Sequence, residues 1–374
     1  MFPTVTARPN VTPRTVSSFA RGKNVSVADA ENWRVVRHSL RTSQEETSLS
    51  DPDAEKFAGI QQHRAVQQLR RHVEDFMSID EEQLREEELY HRVLASVHQL
   101  CAAILACEKA EMDPDEIRAV LDPVRRVHAR SPFVERLQTW PRGYPGDFET
   151  VEYLIGGAGA NKASDRIARS CEAYALSRSI AQQHRNKIQH QASRLMRTML
   201  MNPSRTRIAS IACGSCPDLR LILDHLPPLA GDIWLNDIDE DALAFSRKAL
   251  QPVASHCHFR QGDALTFARR LPRGAFDLVL AGGLVDYLNE RVATLLIQLA
   301  MRALAPGGTF YFTNIAAGNP YRPLIEYFGN WKLIERSEDD IYRYCANAGV
   351  SRGNVTIRRD ETGLALLVEI AKLE

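Results

Sequence analysis

The stretch Ile208-Ala-Ser-Ile-Ala-Cys-Gly-Ser-Cys-Pro-Asp218 is a short apolar run that breaks at Gly214 and leads into the apolar Leu219-Arg-Leu-Ile-Leu223. A strand buried on both faces and turning into a helix has this form, because such a strand keeps no polar alternation. Two more apolar runs follow. Ile233-Trp-Leu235 ends at Asn236-Asp-Ile-Asp239, and His258-Phe-Arg-Gln261 ends at Gly262-Asp-Ala264. Three strand ends therefore carry a glycine turn, an acid and a second acid, in that order.

That order suits a nucleoside. In an open α/β sheet, ligands sit beyond the carboxyl ends of the strands. A small residue in the first turn lets the backbone approach the ligand closely. An acid at the end of the second strand can accept hydrogen bonds from both ribose hydroxyls, and one after the third can accept from an exocyclic adenine amine. Gly214 and Asp237 are spaced close to the roughly 20 residues expected between glycine turn and ribose acid.

On these residues, the segment from about Asn202 to Glu374 resembles the class I S-adenosylmethionine-dependent methyltransferases. The resemblance implies an α/β, Rossmann-like sheet of seven strands with an antiparallel final hairpin. It places the cofactor's methionine part against Ala212, Cys213, Gly214 and Ser215. The ribose falls on Asp237, with Ile238 beside it, and the adenine near Asp263 and Ala264. Gly282, after the fourth strand, completes that set, and Tyr174, Arg178 and Arg185 are candidates for the cofactor's carboxylate. The usual turn holds two or three glycines, whereas here Cys213, Ser215 and Cys216 flank a single one. That departure argues against a dinucleotide, whose pyrophosphate needs a close backbone approach.

The rest of the second half follows the same plan. Phe276-Asp-Leu-Val-Leu-Ala281 reads as the fourth strand and opens at Gly282-Gly283 into Asp286 and Tyr287. A helix is expected from about Glu290 to Ala305, then a turn at Pro306-Gly-Gly308 and a fifth strand, Thr309–Thr313. The aromatic segment from Asn319 to Tyr344 either roofs a substrate pocket, with rings able to face a sulfonium, or packs as core. Val355–Arg358 and Leu364–Ile370, joined by Asp360-Glu-Thr-Gly363, read as a hairpin.

Ahead of the sheet, residues 51–200 read as a helical cap or bundle. Phe57, Ile60, Val66, Leu69 and Val73 recur at spacings that put most of them on one face of a first helix. A second is expected from a capping box at Ser78-Ile-Asp-Glu81 to about Cys107, with Glu86–Glu88 solvated. A third starts at Asp113-Pro114, and another helical stretch runs from Ser164 to Leu200. Between them, Trp140-Pro-Arg-Gly-Tyr-Pro-Gly-Asp147 is a loop fixed by two prolines and two glycines, and it carries Arg142, Tyr144 and Asp147. Arg142–Asp147 and Gly283-Leu-Val-Asp-Tyr-Leu288 are similar to two segments of a bacterial methyltransferase group that includes the 3-hydroxypalmitate methyl ester synthase. Residues 1–50 hold seven Lys/Arg and four Asp/Glu. They read as an arm, either mobile or folded over the site on Phe2, Phe19 or Trp33.

Bulk numbers bound the partners. The chain has 374 residues, 44% hydrophobic and 25% charged, with 47 Lys+Arg balancing 47 Asp+Glu. No global field attracts nucleic acid or an anionic membrane, and no apolar run approaches the ~20 residues of a membrane span. The start lacks a signal-peptide core, and seven scattered cysteines fit reduced, cytoplasmic thiols. Cys213-Gly-Ser-Cys216 allows a zinc or redox reading only formally, since no second clean pair exists, so no metal is expected.

The function these residues predict is methyl transfer from S-adenosylmethionine to a small-molecule acceptor, in specialised metabolism. Tyr144, Asp147, Asp286 and Tyr287 are the candidates to take a proton from a hydroxyl or amine; a carboxylate acceptor needs no base. One alternative keeps the cofactor and closes its own amine onto the γ-carbon, giving azetidine-2-carboxylate and methylthioadenosine. Another is a non-catalytic cofactor-binding protein. The oligomeric state, monomer or homodimer, stays open.

Overall fold

A computed structural model describes residues 52–201, 205–226 and 231–373; the expected arm at residues 1–50 lies outside them. The chain from Lys56 to Glu374 folds as one unit. Its helical part comprises α1 (Pro52–Met77), α2 (Glu86–Lys109), α3 (Pro114–His128), α4 (Pro132–Thr139), α5 (Phe148–Gly156), α6 (Arg166–Ser177) and α7 (Ser179–Met201).

Local chemistry sets most of these boundaries. The Asp113 side chain accepts from the Asp115 N–H at the start of α3, with Pro114 in the first turn. Ser131 caps α4, Asp147 caps α5 and Asp165 caps α6. The expected capping box at Ser78 is corrected: Ser78–Glu81 forms a single 3₁₀ turn, and its hydroxyl donates back to the Asp75 carbonyl. The α2 helix begins later, where Glu88 receives the Arg85 N–H. Glu86–Glu88 are exposed in its first turn, where carboxylates favour the helix dipole. The helical stretch from Ser164 breaks at Arg178, whose extended backbone separates α6 from α7.

The sheet holds β1 (Arg207–Ile211), β2 (Asp232–Asp237), β3 (Cys257–Gln261), β4 (Phe276–Ala281), β5 (Leu304–Ile315), β6 (Val355–Arg359) and β7 (Ala365–Ala371). Their spatial order is β3-β2-β1-β4-β5-β7-β6. The first five run parallel, and β7 pairs antiparallel with both β5 and β6. This is the Rossmann-like class I methyltransferase sheet. Its strand order reverses between β1 and β4, which places a ligand crevice beyond their carboxyl ends. The expected turn at Pro306–Gly308 proves to be a bulge inside β5: Phe276 pairs with Leu304, and the next pair is Leu278 with Thr309.

Both faces of the sheet are covered. Ile208, Ile233, Leu235, Leu278, Leu280 and Tyr311 pack under α7 and α8 (Pro217–Ile222). Ala209, Ile211, Val279, Ala281, Phe310 and Phe312 pack under α10 (Ala264–Arg270), α11 (Glu290–Ala303) and α12 (Glu338–Asn347). The remaining helix, α9 (Glu240–Ala249), follows β2. Leu278, Val279 and Leu280 are fully buried, and each such side chain stabilises the fold by about 1.5–3 kcal/mol.

The aromatic segment after β5 contains a π-helical turn, Leu324–Phe328. Leu324, Tyr327 and Phe328 pack into the core of α1, α2, α3 and α6. Tyr327 also donates to Glu108, which pairs with Arg322. Of the two uses open to this segment, packing accounts for Tyr327. Trp331 instead faces the end of β4, as described below.

Candidate functional site

The turn after β1 is held in an unusual backbone shape. Ala212, Gly214 and Cys216 all lie in the left-handed region, at φ of 53°, 55° and 50°. For the two non-glycine residues this costs free energy that the surroundings must offset, and such strain gathers at ligand sites. The surroundings are explicit. The Cys213 N–H donates to the Asn236 carbonyl, the Cys216 N–H to the Cys213 carbonyl, and the Ser246 hydroxyl to the Gly214 carbonyl. Cys213 and Cys216 are free thiols. The neighbouring Cys216 thiol, together with burial, raises the Cys213 pKa well above its ordinary value.

Asp237 closes the end of β2 against this turn. Its Oδ2 accepts the Gly214 N–H at 2.7 Å and its Oδ1 accepts the Asp239 N–H at 3.0 Å. A carboxylate has about four acceptor positions, so each oxygen keeps one for a diol. Burial raises the Asp237 pKa above its ordinary value. Ile238, next in the chain, is 63% exposed and offers an apolar surface for a flat ring. The Asp237 carbonyl accepts the Gly262 N–H, which ties the end of β3 alongside. There Asp263 caps α10 through the Thr266 N–H and remains exposed, with Ala264 beginning the helix. Ala212–Ser215, Asp237, Ile238, Asp263 and Ala264 thus sit on the three neighbouring strand ends of one crevice.

The loop before α5 lies over that crevice. Arg142 reaches Asp239 and Asp241 at 3.0 Å and Glu149 at 2.9 Å, and its guanidinium stacks on Phe148. Tyr144 donates to Asp239 Oδ2 at 2.9 Å. Burial first, and then this carboxylate, raise the Tyr144 pKa, so its phenol keeps its proton at neutral pH. Phe148 approaches to 3.7 Å from the place a side chain on Gly214 would take. One turn on, Glu152 accepts from the Ser215 hydroxyl at 2.5 Å and from Arg220 at 2.6 Å. Sequence reasoning missed Phe148 and Glu152; the only available signal was their place one and five residues after Asp147.

Asp147 is fully buried. Its Oδ1 receives Arg136 at 2.6 Å and the Thr150 N–H at 2.9 Å, while Oδ2 is a buried acceptor with no hydrogen-bond partner.

At the end of β4 the expected roles change. Asp286 was a candidate proton acceptor, but its Oδ2 pairs with Lys187 at 2.9 Å and its Oδ1 takes the Ile315 N–H at 2.6 Å. Both side chains are buried, and the carboxylate is engaged on each oxygen. Tyr287 accepts the Trp331 indole N–H at 2.9 Å, and burial raises its pKa, so it too stays protonated. The Gln191 amide lies against Gly282, so a Cβ there would require that side chain to move. Lys187, His184 and Gln191 all come from α7, a contribution the sequence reading did not see.

Tyr174, Arg178 and Arg185 are placed elsewhere. Tyr174 is buried in the helical core, edge-on to His98 and under Arg178. Arg185 donates to the Leu154 and Leu176 carbonyls. Tyr174 also lines a small apolar pocket, of about 40 Å³, with His128, His184, Phe328 and Trp331. Burial lowers the pKa of both histidines, that of His128 to about 4, so both are neutral there.

Comparison with known proteins agrees with this geometry. Residues 208–308 match the family model described as a methyltransferase domain. The matched segment runs from the start of β1 into the β5 bulge and includes the glycine turn, Asp237 and Asp263. That segment is similar to a methyltransferase domain, and it lies within a sheet of class I methyltransferase strand order. The residues present would fit S-adenosylmethionine: a buried acid with acceptor positions to spare stands beside a left-handed turn. No curated protein matches the sequence.

Among solved structures, a possible exported protein from Bordetella parapertussis is 16% identical, with 87% of this chain and 100% of that chain covered at a TM-score of 0.49. The magnesium protoporphyrin IX methyltransferase from Synechocystis PCC 6803 with bound S-adenosylhomocysteine is 13% identical, covering 52% and 88% at 0.40. A methyltransferase from Archaeoglobus fulgidus is 14% identical, covering 50% and 94% at 0.38. With every TM-score below 0.5, none of these likenesses carries the functional reading. Among the described residues no helix is long and apolar enough to cross a membrane.

Proposed function

We propose that this protein transfers the methyl group of S-adenosylmethionine to a small-molecule acceptor whose nucleophile needs no proton removed, a carboxylate above a hydroxyl or amine. The observation that carries the cofactor half is Asp237, buried at the end of β2 with one acceptor position left on each oxygen. Bound S-adenosylmethionine supplies a methyl group on a positively charged sulfur, electrophilic enough for a carboxylate to take.

The chain's own residues supply binding, alignment and exclusion of water. Asp237 receives the ribose hydroxyls, and Ile238 and Asp263 flank the adenine. Glu152, joined to Ser215 and Arg220, draws α5 down on the turn and keeps water from the crevice. Arg142 and Tyr144 pin the loop to Asp239, which fixes the loop's position over the ligand. The acceptor half of the reading rests on the protonation states of the site. Tyr144 and Tyr287 hold their protons, and Asp286 is bound to Lys187. None of these three is a free base, and of the four candidates only Asp147 keeps an unpartnered oxygen; an acceptor already ionised is the one that needs no base at all.

The test is to incubate the protein with S-adenosylmethionine, with and without a panel of carboxylic acids, and to identify the released nucleoside by mass spectrometry. S-adenosylhomocysteine that appears only with an acid supports the proposal. Methylthioadenosine formed without any acceptor would replace it with cyclisation. Tight binding without turnover would replace it with a cofactor-binding role.

A further inference from the structure

We propose that the unpartnered oxygen of Asp147 receives the α-ammonium of the cofactor's amino-acid arm, so that the loop ahead of the sheet selects the complete amino-acid nucleoside over the bare nucleoside. This rests on the S-adenosylmethionine reading and names the group that recognises one end of that ligand.

A carboxylate oxygen buried without a donor is costly, and native structures rarely leave one so. Asp147 has one. Arg136 does not complete it, since that guanidinium gives its hydrogens to Oδ1, to the Thr150 hydroxyl and to Glu149. The other cations around the crevice are also committed. Arg142 serves Asp239, Asp241 and Glu149, Lys187 serves Asp286, and Arg220 serves Glu152. Tyr144 gives its proton to Asp239. Oδ2 therefore lacks a donor while the cations of the site are committed elsewhere, and a ligand with its own hydrogen-bearing positive charge answers that lack.

The position is right for the arm. The residue after Asp147, Phe148, comes within 3.7 Å of where a side chain on Gly214 of the turn would stand, and the residue before it, Gly146, packs against the Tyr287 hydroxyl at the end of β4. The charge of Asp147 acts on both Tyr144 and Tyr287. Asp147 thus stands between the turn that would take the methionine part and the strand end that would face the acceptor. A primary ammonium is a compact charge with three donors. It can complete Oδ2 and still reach a carbonyl of the turn.

Titration calorimetry on the full chain tests this, with S-adenosylhomocysteine and 5′-methylthioadenosine as the two probes. The second keeps adenine, ribose and sulfur and lacks the amino-acid arm. Asp147→Asn, which retains an acceptor for the Thr150 cap, is expected to weaken S-adenosylhomocysteine at least about tenfold and to leave methylthioadenosine within about twofold. An equal loss on both ligands assigns Asp147 a purely structural task, and no loss on either removes it from the site; both outcomes overturn the proposal. Should the variant not fold, the wild-type chain decides: the desamino analogue of S-adenosylhomocysteine must bind at least about tenfold more weakly than the parent, and equal binding overturns the idea. If wild type binds neither nucleoside, the cofactor reading itself falls and takes this one with it.

Discussion

The Tyr287 hydroxyl rests on the backbone of Gly146, which leaves no room for a methyl group between them. Gly146 belongs to the loop ahead of the sheet and Tyr287 to the segment after β4, so two stretches about 140 residues apart meet at one atom. Gly146 also holds a φ of 74°, open to glycine and strained for other residues. Gly146→Ala is expected to destabilise the protein by about 2–4 kcal/mol, from backbone strain and overpacking together. Tyr287→Phe in the same chain should return part of that loss, because it removes the obstructing oxygen. Denaturant melts of the two single variants and the double variant check this; strictly additive losses would mean that the contact carries no coupling.

Lys187 and Asp286 form a buried pair with 4% and 3% of their side chains exposed. Removing one partner strands a charge, so Lys187→Met should cost about 3–5 kcal/mol. Neutralising the other partner as well, with Asp286→Asn, should recover much of it, since the amide oxygen still serves the Ile315 N–H. Thermal unfolding measures both. A loss below about 1 kcal/mol for Lys187→Met would show that the pair is not the anchor described.

Asp237 must be ionised to accept two hydroxyl hydrogens, and burial raises its pKa above 3.8. Affinity for S-adenosylhomocysteine should therefore be full at neutral pH and fall as the pH drops through that raised value. Asp237→Asn should bind about ten- to a hundredfold more weakly at pH 7.5 and lose the acid dependence. Calorimetry at several pH values reads both effects; an unchanged profile in the variant would assign the titration to another group.

Burial pushes the Asp218 carboxyl up from 3.8 to about 6. Between those values the folded chain holds a proton that the unfolded chain has released, so stability falls as the pH rises through this window. Above about 6 the burial costs about 3 kcal/mol. Asp218→Asn keeps an acceptor for the Leu219 N–H. It should melt higher than wild type at pH 7.5, and the gap should close as the pH approaches 4. A gap that is constant with pH would show that Asp218 titrates normally.

The sheet was readable because its strands are written in a local code. Phe276–Ala281 is apolar but for Asp277 and became β4 with those bounds, and the ends of β2 and β3, which lead to Asp237 and Asp263, lie beside each other. The β5 bulge was not readable, since Pro306-Gly-Gly308 has the same composition as a turn between elements; only the pairing of Leu304 with Phe276 tells them apart. Tyr174 shows a second limit. On α6, Ile167, Ala168, Ser170, Cys171, Glu172, Tyr174 and Leu176 are all buried, so the helix is enclosed on most sides and periodicity does not say which neighbour each residue meets. The pairing of Lys187 with Asp286 links residues about a hundred positions apart, and nothing in either local sequence announces the other.

Ala212 and Cys216 hold left-handed backbone that neither residue prefers, and part of what holds it there comes from α5, through Phe148 on Gly214 and Glu152 on Ser215. The segment that the family comparison recognises therefore does not own its crevice. Excised at about residue 205, it would keep the turn, Asp237 and Asp263, yet the turn would be free to relax toward commoner dihedrals and would meet the nucleoside unprepared. Part of the receptor is encoded upstream of the domain that bears its signature.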